Sequence, residues 1–314
     1  MELLVLREGV HRLSAESYAE RLEERLDDHW VRFAATPADE RRLLASADVV
    51  TGPRIDAEAI DDASNLRLFA CTYAGYGHLP MDAFRDAGIA VTNATGVHAP
   101  NAAEHVLGTI LAFSRRLHEA ARAETWQALD PGELAGSTVT IVGLGAIGTA
   151  IADRLDSFEV TTLGVRRTPE DGGPTDEVFG PDRLHEALAR TEYLVLCCPL
   201  TESTRGLIGS AELTTLPPDA VLVNVARGAV VDTDALVRSL RRGRLGGAAL
   251  DVTDPEPLPD DHPLWNFDDV LITPHTAGAT PKYYDRLADI VADNVRRLAN
   301  DRPLRNQVGT AENH

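Results

Sequence analysis

The stretch "TVTIVGLGAIG", Thr138 to Gly148, constrains the fold more than any other part of the chain. An apolar strand runs directly into Gly143, Gly145 and Gly148, and the residues that follow are helical in pattern. In such a unit the first glycine permits a tight turn, the second lets main chain approach a pyrophosphate, and the third lets the helix pack close to the strand. N–H groups and dipole at the helix start then favour phosphate. A dinucleotide-binding turn of this kind belongs to a doubly wound parallel sheet.

Alternation on both sides of the turn agrees with that α/β class. Before it come "LLVL", a helix over 15–27, "VRFAA", a helix over 38–46, "DVVTG", "LRLFACTYAG", a helix over 79–87 and "IAVTN". After it come a helix over 146–156, "EVTTLGV", a helix over 182–190, "YLVLCCP", "AVLVNVA", a helix over 232–242, "LGGAALDV", "DVLITP" and a last helix over 281–299. Between the two sets, residues 101–126 carry apolar residues at helical spacing, with Asn101 as the expected cap and Glu104 in the first turn. Pro and Gly clusters at 168–181 and 254–263 read as loops. Two doubly wound parallel-sheet domains are expected from a chain of 314 residues.

The formal net charge is −19, from 49 acids and 30 bases, and Lys282 is the one lysine. That surface repels nucleic acid and anionic membranes. No apolar run approaches the roughly 20 residues of a bilayer span, and "MELLVLREGV" lacks the basic start of a secretory signal, so a cytoplasmic protein is expected. A GC-rich genome would explain arginine over lysine but not the surplus acid, which points to a salt-loving source, where the Debye length is about 3 Å at 1 M. Cys71, Cys197 and Cys198 form no disulfide framework, the last two read as small core residues of a buried strand, and no Cys/His spacing matches zinc. His98, His105 and His118 suggest no metal site and read as surface or packing residues, so no metal is expected.

Seventeen residues separate Gly148 from Arg166, which stands with Arg167 and then Thr168 where NAD sites commonly carry an acid for the ribose hydroxyls. Forked, permanently charged donors beside a hydroxyl suit a 2′-phosphate, so NADP(H) is expected over NAD(H). Ala146 and Ile147 in the turn, and Pro199 after "YLVLCC", complete the expected cofactor side.

Three further turn-rich stretches lie at strand ends: "NVARGAVVD" with Arg227, "DVTDPEPLP" with Asp251 and Glu256, and "ITPHTAGAT" with His275. With the glycine turn, their order and spacing resemble the D-isomer-specific 2-hydroxyacid dehydrogenase family, from about residue 70 almost to the C-terminus, and within it the glyoxylate and hydroxypyruvate reductase branch. The resemblance implies a Rossmann cofactor domain, 101–282, inserted into a flavodoxin-like substrate domain, 1–100 with 283–314, and an active site in the cleft between them. It implies His275 as acid/base with Glu256 as carboxylate partner, Arg227 on the carboxylate and carbonyl of a 2-keto acid, and Asp251 on the nicotinamide carboxamide. It also implies a homodimer through residues 101–126.

The chemistry needs those residue types. Negative charge grows on the keto oxygen as hydride arrives, so a protonated imidazole must donate there while a fixed cation stabilises the charge. A neighbouring carboxylate favours that protonated form. "CTYAGYGHLP" resembles the family's carboxylate-binding loop, whose donors here are the Ala74 and Gly75 N–H groups; it departs from the family at Gly77 and Pro80, where acids are common. Tyr73 and Tyr76 are candidates for the pocket wall. Relatives that act as nucleotide-sensing corepressors, and 3-phosphoglycerate dehydrogenases, are the competing readings. The formate dehydrogenase branch has glutamine at the Glu256 position.

Overall fold

The computed structural model describes residues 1–309. The chain forms two compact units, Met1–Val97 with the segment from Thr280 onward, and His98–Ala279. These borders lie three residues ahead of the expected ones at both crossings.

In the first unit β1 (Glu2–Val5), α1 (Ala15–Glu23), β2 (Trp30–Phe33), α2 (Pro37–Leu44), β3 (Val49–Gly52), α3 (Ala57–Asp61), β4 (Leu68–Cys71), α4 (Met81–Asp86) and β5 (Ala90–Thr92) alternate. The strands lie in the order β2-β1-β3-β4-β5, all parallel, which is the flavodoxin-like winding. Central β3 and β4 are buried at every residue, as strands covered on both faces must be, whereas edge strand β2 alternates and leaves Trp30 exposed. Thr36 caps α2 by accepting from the Asp39 N–H at 3.1 Å, with Pro37 at the first helical position.

The second unit opens with α5 (Ala99–Ser114) and α6 (Leu117–Arg122), then runs β6 (Thr138–Val142), α7 (Ala146–Leu155), β7 (Thr161–Val165), β8 (Glu177–Phe179), α8 (Leu184–Leu188), β9 (Tyr193–Leu196), α9 (Ser210–Thr215), β10 (Val221–Asn224), α10 (Thr233–Arg241), β11 (Gly247–Leu250) and β12 (Val270–Ile272). Its seven strands are parallel in the order β8-β7-β6-β9-β10-β11-β12, the Rossmann winding extended by one strand. The chain then returns to the first unit through α11 (Tyr283–Ala299), whose buried face, Tyr283, Leu287 and Val291 among others, joins the core of Leu3, Val5 and Tyr18. Last comes β13 (Gln307–Val308), antiparallel to β5. No helix among the described residues is long and apolar enough to cross a membrane.

The expected helix over 101–126 is not continuous. Arg116, at φ 51°, takes a left-handed conformation that ends α5 and restarts the chain as α6, and residues 123–126 are not helical. Asn101 is not the cap either: α5 begins two residues earlier, Glu104 falls outside its first turn, and the Asn101 amide donates to the Ala277 carbonyl at 2.7 Å. The expected loop at 168–181 contains β8, and α3, α9 and β13 are further elements that the hydrophobic pattern did not announce.

Candidate active site

Two of the three glycines of the 143–148 turn are explained by a close neighbour and the third by open space. Gly143 has φ +104°, and a Cβ there would lie 2.7 Å from the Cys198 nitrogen. A Cβ on Gly148 would lie 2.0 Å from the Gly143 carbonyl oxygen, so α7 crosses the turn with nothing between. At Gly145, which starts α7, a Cβ would meet nothing within 4 Å; the free space lies on the side from which a pyrophosphate could approach. This turn leaves β6 beside β9, where the strand order reverses and open α/β sheets place their ligands. The chain thus offers a cradle that fits a dinucleotide.

A cavity of about 570 Å³ opens there, lined by Gly143, Gly145, Arg166, Arg167, Thr168 and Pro199, all anticipated from sequence. Ala146, Ile147 and Gly148 do not line it: the first two form the opening turn of α7, and Gly148 is spent on packing. Cys198, Thr201, Ser203 and Thr204 do line it and were not anticipated. The two cysteines follow β9 rather than lying in it. Cys197 packs its Sγ 2.9 Å from the Gly143 carbonyl, and burial pushes its thiol well above the ordinary value, so it contributes shape and no nucleophile.

The two arginines differ. Arg166 is half-buried; it donates to the Gly172 carbonyl at 2.7 Å and to Asp171 Oδ2 at 2.8 Å, which ties it to the loop after β7. Arg167 is exposed and forms no ion pair among the described residues, so its guanidinium is available to an anion entering the cavity.

The other three stretches converge because β10, β11 and β12 end side by side: Asn224, Leu250 and Ile272 are in register. Asn224, buried, accepts from the Ala226 N–H at 3.0 Å and donates to the Arg227 carbonyl at 3.1 Å, folding the chain so that Arg227 stands at the strand end. Gly228 lies flat on the neighbouring loop; a Cβ would be 2.0 Å from the Thr253 carbonyl carbon. The Arg227 side chain donates to the Ala226 carbonyl at 2.6 Å.

His275 Nδ1 stands 2.6 Å from Glu256 Oε1, and both side chains are roughly half exposed. Nδ1–H donates to the carboxylate, which leaves Nε2 facing outward for proton transfer. The His275 backbone, at φ 52°, is held by its N–H to the Asp251 carbonyl at 2.8 Å. Asp251 is buried, and its carboxylate accepts from Thr273 Oγ1 at 2.6 Å, the Thr276 N–H at 2.8 Å and the Ala277 N–H at 2.9 Å. Asp251 therefore organises the turn that carries His275, and Oδ2, with one of these bonds, keeps acceptor capacity.

In the first unit Ala74 and Gly75 follow β4 and are exposed, and neither N–H has a hydrogen-bond partner among the described residues. Where the family's acids are missing, other groups hold this loop: Asn93 donates to the Ala74 carbonyl at 2.6 Å and His78 Nε2 to the Pro53 carbonyl at 2.7 Å. Tyr73 is partly exposed beside the His11 and His78 rings, and Tyr76 packs on the apolar cluster beneath.

Residues 107–277 match the family model described as D-isomer specific 2-hydroxyacid dehydrogenase, NAD binding domain. The chain is 40% identical over 255 residues to a glyoxylate reductase of Thermofilum pendens, covering 77% of this chain and 74% of that one. It is 36% identical over 280 residues to an (S)-sulfolactate dehydrogenase of Chromohalobacter salexigens, covering 85% and 91%. Among solved structures it resembles a D-isomer specific 2-hydroxyacid dehydrogenase of Xanthobacter autotrophicus in complex with NADPH and MES, at a TM-score of 0.78 and 29% identity over 98% of this chain and 97% of that one. Two α/β units, a glycine turn that fits a dinucleotide and these likenesses lead to one conclusion: the chain belongs to the D-isomer specific 2-hydroxyacid dehydrogenase family and is a nicotinamide-dependent oxidoreductase.

Proposed function

We propose that the protein reduces 2-keto acids to D-2-hydroxy acids, with NADPH preferred over NADH. The His275–Glu256 contact at 2.6 Å carries the reading, because a carboxylate-held imidazole with one free nitrogen is what protonation of a keto oxygen requires. Bound at the 143–148 turn, the nicotinamide dinucleotide supplies the hydride. His275 Nε2 donates a proton to the substrate oxygen as charge grows there, and Glu256 keeps the ring oriented and stabilises its cation. Arg227 binds the substrate carboxylate and stabilises the developing alkoxide. The Ala74 and Gly75 N–H groups donate to that carboxylate, and Asp251 Oδ2 accepts from the carboxamide.

Arg167 and Thr168 bind the 2′-phosphate, with Arg166 fixing the loop beneath them. The uncommitted guanidinium of Arg167 and the absence of an acid at this strand end support that preference. The relatives' names favour small, highly polar keto acids. A homodimer through α5, α6 and the residues to 126 is part of the same proposal, supported by the exposed Leu117 and Trp126.

The test is oxidation of NADPH, and separately NADH, in molar KCl against 2-keto acids from glyoxylate to aromatic ones. Turnover should be strongest with NADPH and a small keto acid. His275→Ala should lose about 10²- to 10⁴-fold in turnover with NADPH affinity unchanged. Absence of turnover in folded protein that binds NADPH overturns the reading.

A further inference from the structure

The His118 imidazole is 3% exposed, and its Nε2 has no hydrogen-bond partner. A buried, unpaired ring nitrogen is costly to keep unless something takes its lone pair. Its tautomer is fixed from the other side: Nδ1 stands 3.0 Å from the Ala112 carbonyl oxygen, so Nδ1 carries the proton and Nε2 the lone pair. Metal-ligating histidines use the same arrangement, one ring nitrogen on the metal and the other N–H on a main-chain carbonyl.

Two carboxylates converge on this nitrogen. Glu119 Oε1 is 3.9 Å from Nε2, beyond hydrogen-bond reach, and one donor atom each from His118, Glu119 and Asp269 lies within 4.8 Å of the other two. The segment bearing Asp269 is fixed by the same helix, because Arg122 donates to the carbonyls on either side of it, those of Asp268 and Val270. His118, Glu119 and Arg122 all belong to α6, and the Phe113 ring packs 4.4 Å from the imidazole and covers it.

We propose that His118 Nε2, Glu119 and Asp269 form a binding site for one divalent transition-metal ion of the zinc class, seated between α6 and the turn that precedes β12. A neutral imidazole with two carboxylates offers two negative charges to a divalent cation, and N/O donors of this mixture suit zinc better than the all-oxygen sets of calcium or magnesium. Bonds of about 2.0–2.2 Å place tetrahedral ligands roughly 3.4 Å apart, so the side chains of Glu119 and Asp269, the less buried members, close inward on binding. Arg116 donates to Glu119 Oε1 at 2.8 Å, the oxygen that also stands nearest Nε2, and so orients the carboxylate beside the ring. The ion completes the one valence of this imidazole that no protein group satisfies. The sequence expectation for His118, a surface or packing residue with no metal site, had no means of showing this, since Asp269 is 151 residues away in a chain whose Cys/His spacing matches no zinc motif.

The test uses the full chain stripped with a chelator and titrated with Zn²⁺ by calorimetry and with Co²⁺ by visible absorption. One equivalent per chain should bind, with the absorption of a four- or five-coordinate Co²⁺, and thermal unfolding should move upward. His118→Gln and Asp269→Asn should each weaken Zn²⁺ at least tenfold; Asp269 is exposed, so its variant keeps the fold even if the buried histidine's does not. His185→Gln removes a surface histidine 3.3 Å from Glu212 and should leave binding unchanged. Substoichiometric binding, or binding that neither His118→Gln nor Asp269→Asn alters, overturns the proposal.

Discussion

Two alanine substitutions, three residues apart in the same turn, should both weaken NADPH binding, but only one of them should cost stability. At Gly148 the new methyl falls 2.0 Å from the Gly143 carbonyl oxygen, where ordinary contact begins near 3.4 Å, so α7 must retreat by about 1.4 Å. The obstacle is backbone rather than a flexible side chain, and overpacking of a close-packed interior costs about 1–3 kcal/mol. Alanine regains about 1 kcal/mol of helix propensity. A contact this short falls in the upper half of that range, about 2–3 kcal/mol, so a net loss of roughly 1–2 kcal/mol follows, together with a displaced turn and NADPH affinity lowered by much more than the stability change alone explains.

At Gly145 the backbone, φ −82° and ψ −162°, accepts any residue, and the methyl meets nothing within 4 Å. Stability should stay within about 0.5 kcal/mol of the parent. The methyl points into the space assigned to the pyrophosphate, so the Kd for NADPH should rise about 10- to 100-fold, or roughly 1.4–2.8 kcal/mol. Urea denaturation followed by circular dichroism reads the first quantity, and fluorescence titration with NADPH the second. Parental NADPH affinity in Gly145→Ala would refute the placement of the pyrophosphate; parental stability in Gly148→Ala would refute the packing argument.

Arg167→Ala should cut the NADPH/NADH preference in kcat/KM by more than tenfold without changing urea stability, whereas Arg166→Ala should also loosen the Asp171–Gly172 loop; equal preference before and after Arg167→Ala would remove the clamp. Asn224→Ala unpairs the buried Ala226 N–H, at about 1–3 kcal/mol, and leaves the Arg227 carbonyl only the Val230 N–H at 3.1 Å, so Arg227 drifts and KM for the keto acid should rise while NADPH Kd holds. The Thr162 N–H and hydroxyl hold the Asp176 carboxyl below the usual range. A depressed folded-state value stabilises above the unfolded one, about 3.9, and is lost as pH falls through the folded one. Parent and Asp176→Asn should therefore differ in urea stability by a constant amount from pH 5 to 8 and converge as pH falls through the lowered folded-state value; a gap unchanged by acid would show that the loss is not titration of this carboxyl.

Much of the fold could be read from local pattern, because parallel strands buried on both faces appear as short apolar runs, and "TVTIV", "YLVL" and "VLVN" are such runs. The three glycines, Arg227, Glu256 and His275 stood out in the sequence because they lie in the turns, loops and helix start that follow those runs. What escaped depends on partners distant in sequence. β8 is hidden in a Gly/Pro-rich stretch and is held by pairing to β7 and by Glu177 with Arg190. The break at Arg116 has no glycine or proline to mark it, since "LHEAAR" continues the apolar period of α5. β13 is two residues long and is defined only by β5. Asn224 looked like one more residue of an apolar strand, although its amide shapes the Arg227 turn, and Thr201, Ser203 and Thr204 carried no turn signal to place them on the cavity wall.

The interrupted first unit imposes an order on biosynthesis. When the ribosome has delivered Val97, five strands and four helices exist, but the face of the sheet that Tyr283, Leu287 and Val291 will cover is still bare, and the edge of β5 has no β13 beside it. At about 5–20 residues per second, roughly ten to forty seconds pass before α11 emerges. During that interval residues 98–279 have their whole core at hand and can close it, while the segment Met1–Val97 waits with apolar surface and an open strand edge in solution. The oldest residues of this protein are thus the last to be sheltered, and the nascent chain's exposure to self-association should be set by the translation time of the insert rather than by the stability of the finished fold.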